Sequence, residues 1–293
     1  MTGAMSEHRA LTTLAGPPAA FTLYRKAVLH RGSGGSEPPD VRLQLSDQPI
    51  ETGRLWQYQR LCGFGVSDRL PPTYLHLLAF PLGMALMTEP RFPFPLLGLV
   101  HVSNTIAQHR PVRADERVTV RAWVAELRPH PAGRVVDLVS EALVHGEPVW
   151  QETSSYLHRE AVKEAVERDR SKTDRERVEP PNGPVIRWQA PAGIGRRYAA
   201  VSGDRNPIHL HALTAKAFGF RGAIAHGMWL KARTLAAFAS RLPDRLQVEV
   251  AFKTPVFLPS TVEMRAVSQA DGRRFEVRNA RSGKPHLSGT ISG

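Results

Sequence analysis

Apolar stretches of strand length, either alternating or continuous, fill the later part of each half of the chain. Four of them lie between residues 98 and 158, and four more lie between residues 245 and 292. Short turns such as Ala-Asp-Gly and Arg-Ser-Gly separate neighbouring stretches. Each group follows a segment with apolar residues at helical spacing, LGMALMTE in the first half and HGMWLKARTLAAFASRL in the second. The pattern predicts an α+β fold in which each half wraps an antiparallel sheet around a long helix.

The two halves share a collinear pattern at a constant offset of 144 residues. Gly83 and Pro111 in the first half correspond to Gly227 and Pro255 in the second, with the same distance between them. The agreement needs no gap over roughly forty residues, so duplication is a better explanation than chance. We therefore predict that one fold occurs twice.

A highly charged segment joins the two halves. Residues 159–184 contain seven basic and seven acidic residues and end in a Pro-Pro-Asn-Gly turn. We predict a solvated linker here, between a first domain over residues 1–158 and a second over residues 185–293. Because the linker charges cancel, 7 − 7 = 0, the net charge of +12 must lie on the flanking domains.

The charge and the cysteine content limit the classes of function. A net charge of +12 favours an anionic partner. Nucleic acid is a weak candidate, since it would need basic patches interleaved with aromatic side chains, and only 7% of the residues are aromatic. Cys62 is the only cysteine, which excludes an intrachain disulfide and any cysteine-based metal site and favours a reducing compartment, the cytoplasm by default.

Neither a secretory signal nor membrane insertion is predicted. The first twenty residues lack a sustained apolar region and are interrupted by Pro17 and Pro18. The uncharged stretch between Arg69 and Glu89 contains three prolines and a histidine, so it is better explained as a buried helix of a soluble protein.

The candidate chemistry lies between residues 198 and 230. Asn206-Pro207 begins a helix, with Asn206 as N-cap and Pro207 at the first helical position. His209 falls in the first turn, where its imidazole and the carboxylate of Asp204 could form an acid/base pair. The spacing fits equally an ordinary turn with a capping aspartate and a structural histidine, so both interpretations stay open at this point.

A second candidate is the start of the next helix. Gly227 would present a backbone N–H at the positive end of that helix, where it could hold a carbonyl oxygen that gains negative charge. Alternatively, the helix packs too closely for a Cβ, an interpretation that Gly83 in the first copy supports. The two interpretations of Gly227 are compatible with each other.

The segment from residue 198 to residue 230 resembles the signature of the MaoC-like, or R-specific enoyl hydratase 2, family of hot-dog proteins. The pattern Ser-Gly-Asp-x-Asn-Pro-Ile-His is present at residues 202–209, and Gly-Phe-x-x-x-Ile-Ala-His-Gly-Met is present at residues 219–228. The resemblance implies that Asp204 and His209 are the catalytic acid/base pair and that the Gly227 N–H is the oxyanion donor to a thioester carbonyl. The residues it implies in substrate binding are Ser202, Asn206, Ile224, Ala225, His226 and Met228.

The chain departs from the family pattern at several positions. His211 stands where the commonest form has an aspartate, and Leu235 stands where some members have a serine. The first half lacks the acid/base pair, since the positions 144 residues before it are Arg60 and Gly65. The chain thus looks like a double hot dog with a degenerate first copy, similar to the dehydratases of peroxisomal multifunctional enzymes and of mycobacterial fatty-acid metabolism.

The resemblance implies reversible syn hydration of a trans-2-enoyl thioester to a (3R)-3-hydroxyacyl thioester, with no metal and no cofactor. The carrier would be coenzyme A or acyl carrier protein, both anionic and suited to the positive charge. A degenerate first copy could widen its groove for a longer acyl chain. The alternatives are a non-catalytic or partner-dependent thioester-binding protein and a hot-dog thioesterase. Monomer and homodimer both remain open.

Other residues are expected to be structural. Trp229 and Phe218 are expected to fill the core or line an acyl tunnel, and His226 to support the turn before its helix. Five further histidines show no metal-ligand spacing: His101, His109, His145, His158 and His286.

Overall fold

A computed structural model describes residues 10–35, 37–160 and 181–293. The elements of the first half are β1 (Ala10–Leu14), α1 (Ala20–Leu29), β2 (Val41–Pro49), α2 (Thr52–Cys62), α3 (His76–Met87), β3 (Val100–Gln108), β4 (Arg117–His130), β5 (Gly133–Val144) and β6 (Glu147–Arg159). Those of the second half are β7 (Val185–Ala190), α4 (Ile194–Ser202), α5 (Pro207–Leu210), α6 (Ala212–Ala217), α7 (Gly227–Ala236), β8 (Leu246–Phe252), β9 (Ser260–Gln269), β10 (Gly272–Asn279) and β11 (Pro285–Ser292).

The described strands form one continuous sheet in the order β1-β2-β4-β5-β6-β3-β8-β11-β10-β9-β7. Both halves have the same internal order, β2-β4-β5-β6-β3 in the first and β7-β9-β10-β11-β8 in the second. They join edge to edge where β3 pairs with β8, and β1 adds a parallel strand at the outer edge of the first half. The predicted α+β double hot dog is confirmed.

The register of the central strand pair agrees with the sequence repeat. Strands β3 and β8 are antiparallel, and Thr105 lies opposite Glu249. These two positions differ by 249 − 105 = 144, which is the repeat offset, and the pairs on either side of them exchange equivalents: Ser103 lies opposite Ala251, and Ala107 lies opposite Gln247. The junction between the halves therefore lies on a local two-fold axis.

One apolar core runs through both halves and encloses the two central helices, α3 and α7. Helix α3 is uniformly apolar and packs against β4 and β5. It starts at His76, six residues before the predicted segment. The residues between His76 and Leu82 are also uncharged and apolar, so the helix includes them. Helix α7 is shorter than predicted: it ends at Ala236, and the chain tightens into a single 3₁₀ turn at Ala239–Arg241, as helix ends often do.

Most of the predicted linker, residues 161–180, lies outside the described residues. Strand β6 ends at Arg159 and strand β7 begins at Val185, next to the predicted bounds of the linker. The division into domains over residues 1–158 and 185–293 stays a prediction. Along the described parts of the chain, no helix is both long and apolar enough to span a membrane.

Candidate active site

The predicted acid/base pair lies on a short loop and on the helix that follows it: Asp204 lies between α4 and α5, and His209 lies in α5. Gly203, with φ of +83°, ends α4 in the left-handed conformation and turns the chain toward α5. The Ser202 hydroxyl accepts a hydrogen bond from the Asp204 N–H at 3.1 Å. The Asn206 side chain caps α5 by accepting from the Ile208 N–H at 3.3 Å. The N-cap and the position of Pro207 are therefore as the sequence predicted.

Every residue predicted for the site lines one cavity of about 220 Å³. Its catalytic end is lined by Ser202, Asp204, Asn206, His209, Ile224, Ala225, His226, Gly227 and Met228. The fold thus brings together the loop before α5 and the first turn of α7, which lie about twenty residues apart in sequence.

The contacts of His209 determine which of its nitrogens carries the proton. Its Nδ1 lies 2.9 Å from the Ile224 carbonyl oxygen, which can only accept, so Nδ1 carries the hydrogen and Nε2 keeps a free lone pair. Burial lowers the pKa of His209, although the nearby Asp204 carboxylate opposes this. At neutral pH, His209 is therefore a neutral imidazole that can accept a proton at Nε2.

Asp204 is held as a carboxylate. Burial alone would raise its pKa, but His226, His209 and the N–H of Asn206 together hold the pKa of Asp204 below its usual value. The Asn206 N–H donates to Asp204 Oδ1 at 3.1 Å. An ionised carboxylate and a neutral imidazole thus face the same cavity.

His226 supports the loop that contains Asp204. Its Nε2 donates to the backbone carbonyl of Asp204 at 2.9 Å, and its ring stacks on that of His209 with centroids 3.7 Å apart. Burial lowers the pKa of His226 to about 3, so the ring stays neutral. The sequence interpretation placed the support of His226 at the turn before α7, whereas this hydrogen bond supports the loop that contains Asp204.

Gly227 is the first residue of α7, where an N–H has no intrahelical acceptor. A Cβ at Gly227 would lie 2.9 Å from Phe252 Cε1, and a Cβ at Gly83 would lie 2.6 Å from Leu138 Cδ2. Close packing therefore accounts for both glycines. The free N–H at the positive helix end is an additional property of Gly227 alone, because Gly83 lies in the middle of α3.

The sequence analysis missed Tyr24, which projects from α1 into the site. Its hydroxyl oxygen lies 3.3 Å from both Asp204 Oδ1 and the Gly203 carbonyl oxygen, and it accepts a hydrogen bond from the Arg205 N–H. Burial raises the pKa of Tyr24, so the phenol stays protonated. Tyr24 precedes Asp204 by 180 residues, and no local pattern could have indicated this contact.

The ligand atoms of Asp204, His209 and His226 lie within 4.8 Å of one another, which by distance alone would permit a metal ion. Each imidazole already donates one N–H to a backbone carbonyl. The second nitrogen of His226, Nδ1, is buried and has no partner among the described residues. That the reaction needs no metal stays a prediction.

The first half contributes an apolar end to the cavity in place of a second site. Arg60 and Gly65, the equivalents of the acid/base pair, lie on α2 and in the loop after it and line no part of this cavity. Helix α3 and the segment after it supply six apolar side chains instead: Phe80, Met84, Met87, Leu96, Leu97 and Leu99.

The predictions for the aromatic residues Trp229 and Phe218 have different outcomes. Trp229 is buried in the core, as expected. Phe218 is 40% exposed and lines no part of the cavity, so its prediction as a core or tunnel residue is wrong. The short helix α6 ends immediately before Phe218, and the chain turns there at the surface.

Comparisons with known proteins identify the family of the chain. The MaoC like domain matches residues 175–290. The chain is 36% identical over 255 residues to 3-hydroxyacyl-thioester dehydratase X of Mycobacterium tuberculosis, covering 87% of this chain and 90% of that protein. The crystal structure of that protein, HtdX, superposes with a TM-score of 0.74 at 34% identity and covers 86% of this chain and 99% of HtdX.

Two more distant structures share the fold. Peroxisomal multifunctional enzyme type 2 of Drosophila melanogaster has a TM-score of 0.64 at 17% identity, covering 86% of this chain and 48% of that one. Rv0216 of M. tuberculosis, which has a double hot-dog fold, has a TM-score of 0.53 at 13% identity and covers 91% of this chain and 97% of that one. The MaoC like domain and the HtdX match confirm the resemblance predicted from the motifs: the chain belongs to the MaoC-like dehydratase family.

Proposed function

We propose that this protein interconverts trans-2-enoyl thioesters and (3R)-3-hydroxyacyl thioesters in fatty-acid metabolism. The observation that supports this best is the pairing, in one cavity, of the ionised Asp204 with a neutral His209 whose Nε2 is free. HtdX, to which the chain is similar over most of its length, is named a 3-hydroxyacyl-thioester dehydratase. Cys62 is buried and unpaired, which suits the cytoplasm as the compartment.

In the hydration direction, a water molecule binds between the Asp204 carboxylate and Nε2 of His209. Its oxygen forms the new bond to C3 of the enoyl group. The pair takes one proton from this water and returns one proton to C2, so that H and OH add to the same face of the double bond. Dehydration follows the same steps in reverse, and neither direction changes the oxidation state of the enzyme.

The first turn of α7 stabilises the charge that develops during this reaction. As C3 is attacked, negative charge moves to the thioester oxygen. The Gly227 N–H, at the positive end of α7, is the donor for that oxygen. Ile224 and Ala225 hold the backbone before α7 in place, since Ile224 N–H donates to the Ile208 carbonyl at 3.1 Å and Ala225 N–H donates to the Val256 carbonyl at 2.9 Å.

The acyl chain lies in the apolar end of the cavity, between α3 and the segment that follows it. Phe80, Met84 and Met87 of α3 face this space. Methionine side chains are flexible and adapt to ligands of different shape, which suits an acyl chain of variable length. The first half thus serves the reaction by holding the substrate.

The proposal can be tested directly by measuring the loss of enoyl absorbance when the protein is added to crotonyl-CoA or to a trans-2-dodecenoyl thioester. Wild-type protein should form the 3R alcohol, identified by chiral analysis of the product. Asp204→Asn and His209→Ala should each lower kcat at least about a hundredfold, because each removes one member of the acid/base pair. His109→Ala removes an exposed histidine far from the loop and should leave the rate unchanged.

Two outcomes would contradict the proposed function, and a third would contradict its metal-free mechanism. Hydrolysis of the thioester without hydration would indicate a thioesterase. Binding of enoyl thioesters without turnover would indicate a non-catalytic binding protein. Loss of hydration after treatment with a chelator, restored by a metal ion, would assign the cluster of Asp204, His209 and His226 to a metal.

A further inference from the structure

Two histidines line the catalytic cavity but have no part in the proposed reaction. His76 is the first residue of α3 and His101 lies in β3, so both come from the first half of the chain. Their surroundings in the cavity wall are aromatic: the ring centroid of Phe80 lies 6.0 Å from that of His76, and the centroid of Phe252 lies 4.8 Å from that of His101. Polar groups inside a protein usually have a hydrogen-bond partner, so the partners of the two imidazoles are informative.

A buried carboxylate holds His76 in place. Nδ1 of His76 lies 2.8 Å from Glu152 Oε2, and the Asn104 side chain donates to Glu152 Oε1 at 2.6 Å. Burial alone would raise the pKa of Glu152, but His76, Asn104 and Lys231 together hold that pKa below its usual value. An ionised carboxylate can only accept, so Nδ1 of His76 carries a hydrogen. Both oxygens of Glu152 thus have partners already.

The ring of His101 is fixed between two aromatic rings. It stacks on Tyr156 with centroids 4.6 Å apart, and Phe252 packs on it at 4.8 Å. Burial, with the nearby His76 in addition, lowers the pKa of His101 to about 3, so the ring is neutral. A hydrogen bond to the backbone of Ser103 opposes this shift, as it does when the ring is the donor. Nε2 is buried without a partner among the described residues, so Nδ1 makes that bond and Nε2 keeps a free lone pair.

The position of His101 places this lone pair beyond the reacting carbons. Phe252 contacts both the oxyanion donor and His101: a Cβ at Gly227 would lie 2.9 Å from Phe252 Cε1, and His101 packs on the same ring. His101 is therefore one side chain away from Gly227. In the proposed reaction C3 lies beside Asp204 and His209, and neither residue contacts His101 in the described part of the chain.

A free lone pair in an apolar wall selects a neutral hydrogen-bond donor. An unsubstituted acyl chain has no donor beyond the thioester and leaves Nε2 of His101 without a partner. A ketone group only accepts, so it cannot pair with this nitrogen. An ammonium group donates but needs a counter-charge when it is buried, and both oxygens of Glu152 already have partners. A hydroxyl group donates one hydrogen bond and carries no charge, so it meets both requirements.

From these observations we infer that the cavity selects acyl chains that carry a hydroxyl group beyond C3, and that this hydroxyl donates to Nε2 of His101. The inference rests on the proposed function and names the class of its substrate. This hydroxyl is distinct from the one that the reaction adds at C3. His76, held by Glu152, forms the neighbouring part of the cavity wall.

The test compares trans-2-decenoyl-CoA with matched substrates that carry one hydroxyl group at C6, C8 or C10. With wild-type protein, kcat/KM for at least one hydroxylated substrate should exceed that for the unsubstituted one about fivefold, the effect of one net hydrogen bond. His101→Phe keeps an aromatic ring and removes Nε2, so this ratio should fall to about one or below.

His158→Phe is the matched control. His158 stacks on Phe94 with centroids 4.6 Å apart, as His101 stacks on Tyr156, but it lines no part of the cavity. Its ratio should therefore match that of wild type. A ratio of one or less for every hydroxylated substrate with wild-type protein would overturn the inference. An unchanged ratio in His101→Phe would overturn it as well.

A binding measurement separates failure of the inference from failure of the proposed function. Saturated decanoyl-CoA and its hydroxylated counterparts have no double bond to hydrate. Calorimetry should show about fivefold tighter binding of one hydroxylated chain to wild-type protein, and no such preference in His101→Phe. A protein with this preference and no hydratase activity would refute only the proposed function. A hydratase without this preference would refute only the inference.

Discussion

At the scale of single residues, Tyr24 contacts Asp204, and we predict that this contact positions Asp204 for the proposed reaction. Tyr24→Phe removes the hydroxyl that contacts Asp204 Oδ1 and the Gly203 carbonyl and keeps the ring. We expect kcat for hydration to fall about tenfold with little change in KM, since a hydrogen bond to a charged group is lost. Because that hydrogen bond favours the carboxylate, its loss should raise the pKa of Asp204 and move the acidic limb of the pH–rate profile to higher pH.

Tyr58→Phe is the matched control. It also removes a buried tyrosine hydroxyl, which donates to the Thr73 hydroxyl at 2.8 Å, whereas Tyr24 is the tyrosine whose hydroxyl contacts Asp204. This control should lower thermal stability without moving the pH profile. A Tyr24→Phe variant with a lower rate and an unmoved acidic limb would show that Tyr24 only packs against the loop.

At the scale of elements, the close approach of α3 to β5 depends on Gly83. Gly83→Ala would place a Cβ 2.6 Å from Leu138 Cδ2, and overpacking of this kind costs about 1–3 kcal/mol. Alanine is a better helix former by about 1 kcal/mol, which offsets part of the cost. We expect net destabilisation in wild-type background and a neutral or stabilising effect in Leu138→Val, measured by urea unfolding of the two single variants and the double variant.

Gly65→Ala is the reference variant for the comparison of Gly83→Ala with and without Leu138→Val. A Cβ at residue 65 would meet nothing within 4 Å. Its effect on the free energy of unfolding should stay within about 0.5 kcal/mol. If Gly83→Ala costs the same with leucine or valine at residue 138, the contact between α3 and β5 does not set the requirement for glycine.

At the scale of the whole molecule, a buried polar network connects the two halves. Lys231 of α7 donates to the carbonyl oxygens of Asn104 and Val248, each at 3.2 Å, and also contacts Asn104 Oδ1. In the first half, Asn104 donates to Glu152 at 2.6 Å, and Glu152 pairs with His76 at 2.8 Å. The network crosses the junction of β3 and β8, so each half completes the polar contacts of the other.

This network predicts a pH dependence of stability. Burial lowers the pKa of Lys231 to about 7 from 10.5. Between these two values the unfolded state binds more protons than the folded state, so this residue makes the free energy of unfolding rise with pH from about 7 to 10.5. Urea unfolding across this range should give a smaller rise for Lys231→Met than for wild type, whereas Lys216→Met, which changes an exposed lysine of α6, should match wild type.

A slope for Lys231→Met equal to that of wild type would show that Lys231 stays charged in the folded protein. The measurement compares slopes, so titration of the other groups common to all three proteins cancels.

The local sequence by itself determined the elements around the site. The cap at Asn206, the helix start at Gly227 and the strands β3 to β6 and β8 to β11 follow from spacing and period, because each depends on residues close in sequence. The constant repeat offset also indicated that one fold occurs twice, and the structure shows how the two copies pair through β3 and β8. Several elements outside the repeated segments were not predicted, among them β1, α1, β2, α2 and β7.

The tertiary structure decided what depends on contacts between distant parts of the chain. It brought Tyr24 to Asp204, Lys231 to Asn104, and the turn before β11 to the loop after β8. A single tyrosine, lysine or arginine carries no periodic signal, and its partner is set by how the sheet curves and which edges meet. The proposed acid/base pair thus lies in one short segment, whereas the contacts that support this segment arise only when the two halves pack together.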